Sequence, residues 1–366
     1  MPEIWVPYGQ VETLLTIQAE NLGAVVEARE DRRTEDLDRL TEKVKTSSRL
    51  LVCDTKPPTI EVLKDIVAAI GEGPLPRILA ADTRKVESFI SELKGRVSQA
   101  PRPEDAGGNE VALSPELGAE GSKTFLATAQ PDPLFGLVDA KVAAALNWIG
   151  GSKRISAQSA KDFTPAPFEM TEAFAAAERM VATIPEASFV TLVPSQGRAG
   201  RVFSDAPFDT IRSGFFTATL PQARAIVVGA GGAGYDDSLS GALRAVWAAV
   251  GGVRRTGEIL LIAECSEGLG SKALEMLVSG RLGGEGGRRK DRYVDGLEEV
   301  EYLDRLTADY NVMLLSGLPE LYTKSKMKLG SARGSGEALG KLLNKLGRTS
   351  KLNVVTRAPE CRISSA

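Results

Sequence analysis

Short apolar runs, each closed by Asp, Gly or Pro, alternate with helix-period stretches along nearly the whole chain. Ser48–Val52 reads as a buried strand ending at Cys53-Asp54-Thr55, and Pro57 and Pro58 open a helix with Val62, Ile66 and Ile70 on one face. Arg77–Ala81 is the next strand, followed by an amphipathic stretch over Val86–Val97 and a loop over Gln99–Glu110. Thr124–Ala127 reads as a strand, Val138–Trp148 as an Ala-rich helix or a buried strand with a turn, and the stretch beyond Phe168 as a helix to about Ile184. Ser188–Val193 and Ala199–Phe203 form a hairpin across Gln196-Gly197. A second alternating half follows. Its strands are Arg224–Val228, Glu258–Ala263, Asn311–Ser316 and, last, Lys351–Thr356; its helices are Asp237–Val250, Ser271–Leu277, Leu297–Ala308 and Gly334–Leu346. Such a pattern predicts an α/β fold of two domains, each a mainly parallel sheet flanked by helices, with a cleft between them. The join falls near residues 205–222, which gives an N-terminal domain over 1–215 ending in the hairpin and a C-terminal domain over 216–366.

Composition narrows the chemistry more than the fold. The chain has 366 residues and no histidine. That excludes a Ser-His-Asp triad, a Cys-His dyad, an imidazole metal site or an imidazole proton shuttle built from this chain alone. The three cysteines, Cys53, Cys265 and Cys361, lie far apart with no C-x-x-C pair, so no zinc knuckle or disulfide scaffold is expected. With 45 Lys and Arg against 48 Asp and Glu, nothing global points to nucleic acid or a membrane. The start, MPEIWVPYG, lacks the basic and apolar regions of a signal peptide, and the longest apolar runs are too short for a bilayer; the expected compartment is the cytoplasm. Two local departures stand out: the glycine loop Gly280–Gly287 leading into Arg288-Arg289-Lys290, and a tail from Leu321 to Ala366 with ten Lys or Arg and two acids. Both read as solvated surface or, alternatively, as a patch for nucleic acid, although no aromatic residues interleave.

Several strings lie where α/β sheets hold their ligands, at the C-terminal ends of strands. Gly229-Ala230-Gly231-Gly232-Ala233-Gly234 fits the G-x-G-x-x-G pattern, but Asp236 and Asp237 stand where pyrophosphate charge should go, and Arg254-Arg255 where an acid should meet a ribose. A tight turn is the favoured reading. Asp54 and Thr55 could cap the following helix or face a ligand. Glu264-Cys265-Ser266-Glu267-Gly268-Leu269-Gly270 also follows a strand; without histidine, Cys265 reads as a buried structural thiol rather than a nucleophile. Gly150-Gly151-Ser152-Lys153 is a glycine turn ending in a lysine, not a P-loop. Glu298, Glu299 and Glu301 are expected to face solvent.

Together these strings resemble the lactate racemase family, whose members carry a nickel-pincer nucleotide cofactor. Ile4–Gly9 is similar to the family's opening strand and YG turn, Leu51–Thr59 to the strand ending in D-x-T-R-P, and Ile149–Ile155 to the S-G-G-x-K segment. Phe189–Gly214, Ala225–Tyr235 and Ile259–Gly270 resemble later segments in the same order. The resemblance implies that Lys153 matches the lysine that holds the cofactor covalently, with Gly150 and Gly151 in its turn. Asp54 and Lys56 would match the acid and arginine that contact cofactor or substrate, and Asp82-Thr83-Arg84-Lys85 the second, T-H-R-P-like loop. It also implies catalytic and nickel-ligating histidines, one of them at the place of Ala143, which this chain lacks.

The expectation is therefore a racemase-like protein that has lost nickel-dependent racemisation and binds a small anionic metabolite in the cleft. Asp54, Thr55, Lys56, Gly231, Gly232, Glu264 and Gly268 are the candidate ligand-binding residues, and Lys153, Lys56 and Asp54 carry any catalysis that remains. No metal or cofactor is expected, and the nickel-pincer nucleotide would be present only if Lys153 is modified. Such a protein binds and senses, or runs different chemistry with Lys153 as a Schiff-base or nucleophilic residue; the alternatives are a regulatory, nucleic-acid-associated protein and a 2-hydroxy-acid racemase or epimerase with altered catalytic residues.

Overall fold

In a computed structural model, residues 2–27, 34–71, 75–99, 112–161, 163–282, 293–347 and 350–366 are described. Lys123–Thr128 is buried at every position, which is why its sequence shows no polar alternation. It lies inside a six-stranded sheet with the order Arg198–Ser204, Ala187–Ser195, Lys123–Thr128, Arg49–Val52, Arg77–Ala80, Val97–Gln99. All pairings are parallel except that of the first two, the predicted hairpin. Gln196 and Gly197 both take positive φ there, as a tight two-residue hairpin turn requires.

A second six-stranded sheet is parallel throughout: Gly330–Ala332, Asn311–Leu315, Val253–Ile262, Ala223–Gly229, Leu352–Val355, Leu22–Val26. The division at residue 215 separates the two sheets with one exception. Strand Leu22–Val26 closes the edge of the second sheet, and the hairpin Glu3–Tyr8/Val11–Thr16 packs Ile4, Val6 and Leu15 against Ala225, Val227, Leu260 and Ile262.

Three other details differ from the sequence pattern. Val86–Val97 is not one amphipathic element: the helix Thr83–Phe89 stops, a single 3-10 turn follows at Ser91–Leu93, and Val97–Gln99 adds an edge strand. Val138–Trp148 resolves as a helix over Ala140–Trp148, because the Asp139 side chain accepts from the Val142 N–H at 2.9 Å and caps it. Lys351–Thr356 is not the last strand; Cys361–Ser365 follows and pairs in parallel with Phe216–Leu220, inside the stretch taken as the join. Most of the loop at 99–110 and the basic part of the glycine loop lie outside the described residues. Among the described residues no helix is long and apolar enough to cross a membrane.

Candidate functional site

A polar cavity of about 310 Å³ lies where loops from both sheets meet. Thr55 and Lys56 follow the strand Arg49–Val52, Gln130 follows Lys123–Thr128, Gly234–Gly241 follows Ala223–Gly229, and Glu267–Ser271 follows Val253–Ile262. Every one of these is the C-terminal end of a parallel strand, where converging loops leave space for a ligand. A second, more apolar cavity of about 650 Å³ adjoins it, sharing Thr55, Lys85, Gly234, Asp237 and Glu267 and reaching Glu264 and Phe89.

Of the residues expected to bind ligand or cofactor or to carry catalysis, Lys56 and Lys153 line the polar cavity, Glu264 the apolar one, and Thr55 both. Asp54, Gly150, Gly151, Gly231, Gly232 and Gly268 are not among the residues that line either. Asp54 has its oxygens engaged by backbone: one accepts from Lys56 N at 2.9 Å, the other from Thr128 N at 2.7 Å. It ties the strand end to its neighbour and does not cap the helix Pro57–Ile70, which has no side-chain cap. Gly150 ends a short strand and Gly151, at φ 71°, turns the chain into the helix that carries Lys153. Only a residue tolerant of left-handed backbone serves there.

The glycine turn is a packing device. A Cβ on Gly232 would come within 2.9 Å of Pro7 in the N-terminal hairpin. Asp236, fully buried, bridges that hairpin to the next strand end by accepting from Gly9 N at 2.9 Å and Glu264 N at 3.2 Å. Neither Asp236 nor Asp237 caps the following helix, Leu239–Ala249; Ser238 does, accepting from Gly241 N at 3.3 Å. Cys265 is buried, and burial pushes its thiol up to about 12, so it is not a thiolate nucleophile.

Four cations line the cavity, in different states. Lys85 reaches across from the helix Thr83–Phe89 to Asp237 at 3.1 Å and Glu267 at 2.5 Å. Arg244 pairs with the buried Asp132 at 2.9 Å. Lys153 pairs with Asp295 at 2.8 Å and Glu298 at 3.0 Å. Burial works against its charge, but Glu298, Tyr293 and Asp295 hold the ammonium well above the usual lysine range, so Lys153 is a poor nucleophile. Lys56 makes no ion pair among the described residues; its ammonium lies 5.6 Å from the centre of the Tyr235 ring. Burial pulls its pKa below the ordinary value.

The acidic helix differs from expectation. Glu298 and Glu299 are buried, not solvent-facing, at 0% and 2% exposure. Glu298 accepts from the Tyr293 hydroxyl at 2.8 Å on one oxygen, and its other oxygen forms the ion pair with Lys153. Glu299 accepts from the Ser240 hydroxyl at 2.5 Å on one oxygen, and its other oxygen has no partner among the described residues. Both sit in the first turn of Leu297–Asp309, where the helix dipole favours a carboxylate. That position, just after Gly296, was the available signal for them. Ser271, also on the cavity wall and buried, has an unpartnered hydroxyl.

The arrangement defines a two-sheet α/β protein with a charged cleft at its strand ends. No protein-family model matches the chain, and no curated protein sequence matches it. Among solved structures, the lactate racemase apoprotein from Thermoanaerobacterium thermosaccharolyticum matches with a TM-score of 0.75 at 14% identity, covering 99% of this chain and 100% of that one. A structural-genomics protein from Thermotoga maritima matches with a TM-score of 0.56 at 13% identity over 90% and 97%. The chain thus has a lactate-racemase-like fold.

Proposed function

We propose that the protein uses a racemase scaffold to bind a small ligand bearing an anionic group in the polar cavity, without nickel-dependent racemisation. Lys56 carries this reading. It is the cavity cation with no ion pair among the described residues, placed at a strand end beside Tyr235, and a carboxylate or phosphate would complete it.

The residues do not fit a nickel-pincer nucleotide. Its attachment requires a neutral amine, whereas Lys153 is held as an ammonium by two carboxylates. Where the resemblance implies an imidazole, Ala143 presents a buried methyl group. The same pairing argues against chemistry that uses Lys153 as a Schiff-base or nucleophilic residue. The basic tail lends little to a nucleic-acid reading, since Lys324, Lys341 and Lys345 each sit against a carboxylate.

Isothermal titration of the full chain with lactate, acetate and inorganic phosphate tests the proposal, with intact mass and nickel content measured on protein co-expressed with cofactor-making enzymes. Saturable binding lost in Lys56→Met and kept in Lys56→Arg supports it. Binding indifferent to Lys56, or an adduct on Lys153 with bound nickel, overturns it.

A further inference from the structure

The charge around the cavity does not suit a ligand that is only an anion. Lys85 is neutralised by Asp237 and Glu267, Lys153 by Asp295 and Glu298, and Arg244 by Asp132. After those pairings, unused capacity remains on the wall at the ammonium of Lys56, the second carboxylate oxygen of Glu299, the hydroxyls of Ser271 and Tyr235, and Arg244 Nε. Glu299 is 2% exposed, with that oxygen unpartnered among the described residues. A buried carboxylate oxygen without a donor costs several times what an ordinary hydrogen bond contributes, so such a group persists where something completes it. Ser271, 6% exposed with a free hydroxyl, stands beside it: a Cβ on Gly296 would lie 2.2 Å from Ser271 Oγ and 2.8 Å from Glu299 Oε2.

Building on the anion-binding reading above, we infer that the ligand is zwitterionic, an amino-acid-sized molecule whose anionic group meets Lys56 and whose ammonium meets Glu299 and Ser271. An ammonium brings three donors and a full charge to that corner; one N–H serves Glu299 Oε2 and another Ser271 Oγ. The hydroxyl of a 2-hydroxy acid brings a single donor, which serves Glu299 Oε2 or Ser271 Oγ but not both, and no charge to pair with the carboxylate. The cavity, at about 310 Å³, has room for a small amino acid. Its walls take no large apolar side chain, since Lys56, Gln130, Ser240, Arg244 and Ser271 are all polar.

Titration of the intact chain with alanine (both enantiomers), lactate and ethylamine tests the inference. Alanine is expected to bind about ten- to a hundredfold more tightly than lactate or ethylamine, the range of a hydrogen bond to a charged group. Glu299→Gln, checked for folding by circular dichroism, narrows that preference to a few-fold. Ser271→Ala, which removes only a hydroxyl, weakens alanine more than lactate and covers the case in which Glu299→Gln does not fold. If lactate binds through Lys56 as tightly as alanine, or if the Ser271 and Glu299 variants affect both equally, the zwitterion inference fails while the anion-binding reading stands. If none of the probes binds, and acetate and phosphate also do not, both readings fail together.

Discussion

Replacing Lys153 by Met is expected to destabilise the fold because of what it leaves behind. The ammonium sits 2.8 Å from Asp295 and 3.0 Å from Glu298, but the two acids differ. Asp295 is 57% exposed and can turn into water, whereas the Glu298 side chain is fully buried and would keep only the Tyr293 hydroxyl. Breaking a buried pair from one side costs about 3–5 kcal/mol; with Lys153 itself 24% exposed, about 2–3 kcal/mol is expected near pH 8. Burial favours the neutral form of Glu298. Once stranded, it takes up a proton as the pH falls, so the penalty shrinks toward pH 5.5. Urea denaturation followed by the fluorescence of the buried Trp148 and Trp247 reads the difference. Adding Glu298→Gln to Lys153→Met should recover most of the loss. A Lys153→Met protein within about 0.5 kcal/mol of wild type at pH 8, or a double variant no better than the single one, would show that Lys153 is not a structural cation and would return it to the ligand.

Glu360 gives a second pH signature. It is fully buried, and burial lifts its pKa to about 7, while one oxygen accepts from Gly197 N at 2.9 Å at the tip of the first sheet's hairpin. Because the folded pKa exceeds the unfolded one, stability is greatest below about pH 4.5 and falls by about 3 kcal/mol as the pH rises to 7. Glu360→Gln should remove that slope, so urea midpoints of the two proteins should diverge between pH 5 and pH 7; parallel curves would contradict it. Gly296→Ala meets both a positive φ of 83° and the Ser271 hydroxyl, and should lower stability by about 1–3 kcal/mol in the same denaturation assay. An unchanged midpoint would mean that Ser271 is free to move away, and with it the corner assigned to the ligand's ammonium.

The interior strands were legible because burial on both faces leaves short unbroken apolar runs, as at Arg49–Val52 and Ala223–Gly229. Strands without such a run or a hairpin turn to announce them were not: Leu22–Val26, Val97–Gln99 and Cys361–Ser365 are short or alternate, and only their partners make them strands. Lys56 could be found because it follows a strand directly, and Lys153 because a glycine turn announces it. Their surroundings could not. The carboxylate that meets Lys153 lies 142 residues further along the chain, and a Glu-Glu pair reads as surface until a partner and a helix terminus bury it.

The N-terminal hairpin and its following strand have a consequence for how the chain comes off the ribosome. Residues 3–26 are made well before the strands at 223–262 on which they pack and before Leu352–Val355, with which Leu22–Val26 pairs. Ile4, Val6, Leu15 and Ile17, each at most 6% exposed in the folded protein, must wait without their permanent neighbours until those later strands are made. The first sheet, drawn from residues 49–204, can assemble in the meantime. Such long-range closure is slow and leaves apolar strands available for wrong pairings. Nascent chains stalled before residue 352 should therefore hold a formed first sheet and a protease-sensitive amino terminus, which becomes protected only when the last strands arrive.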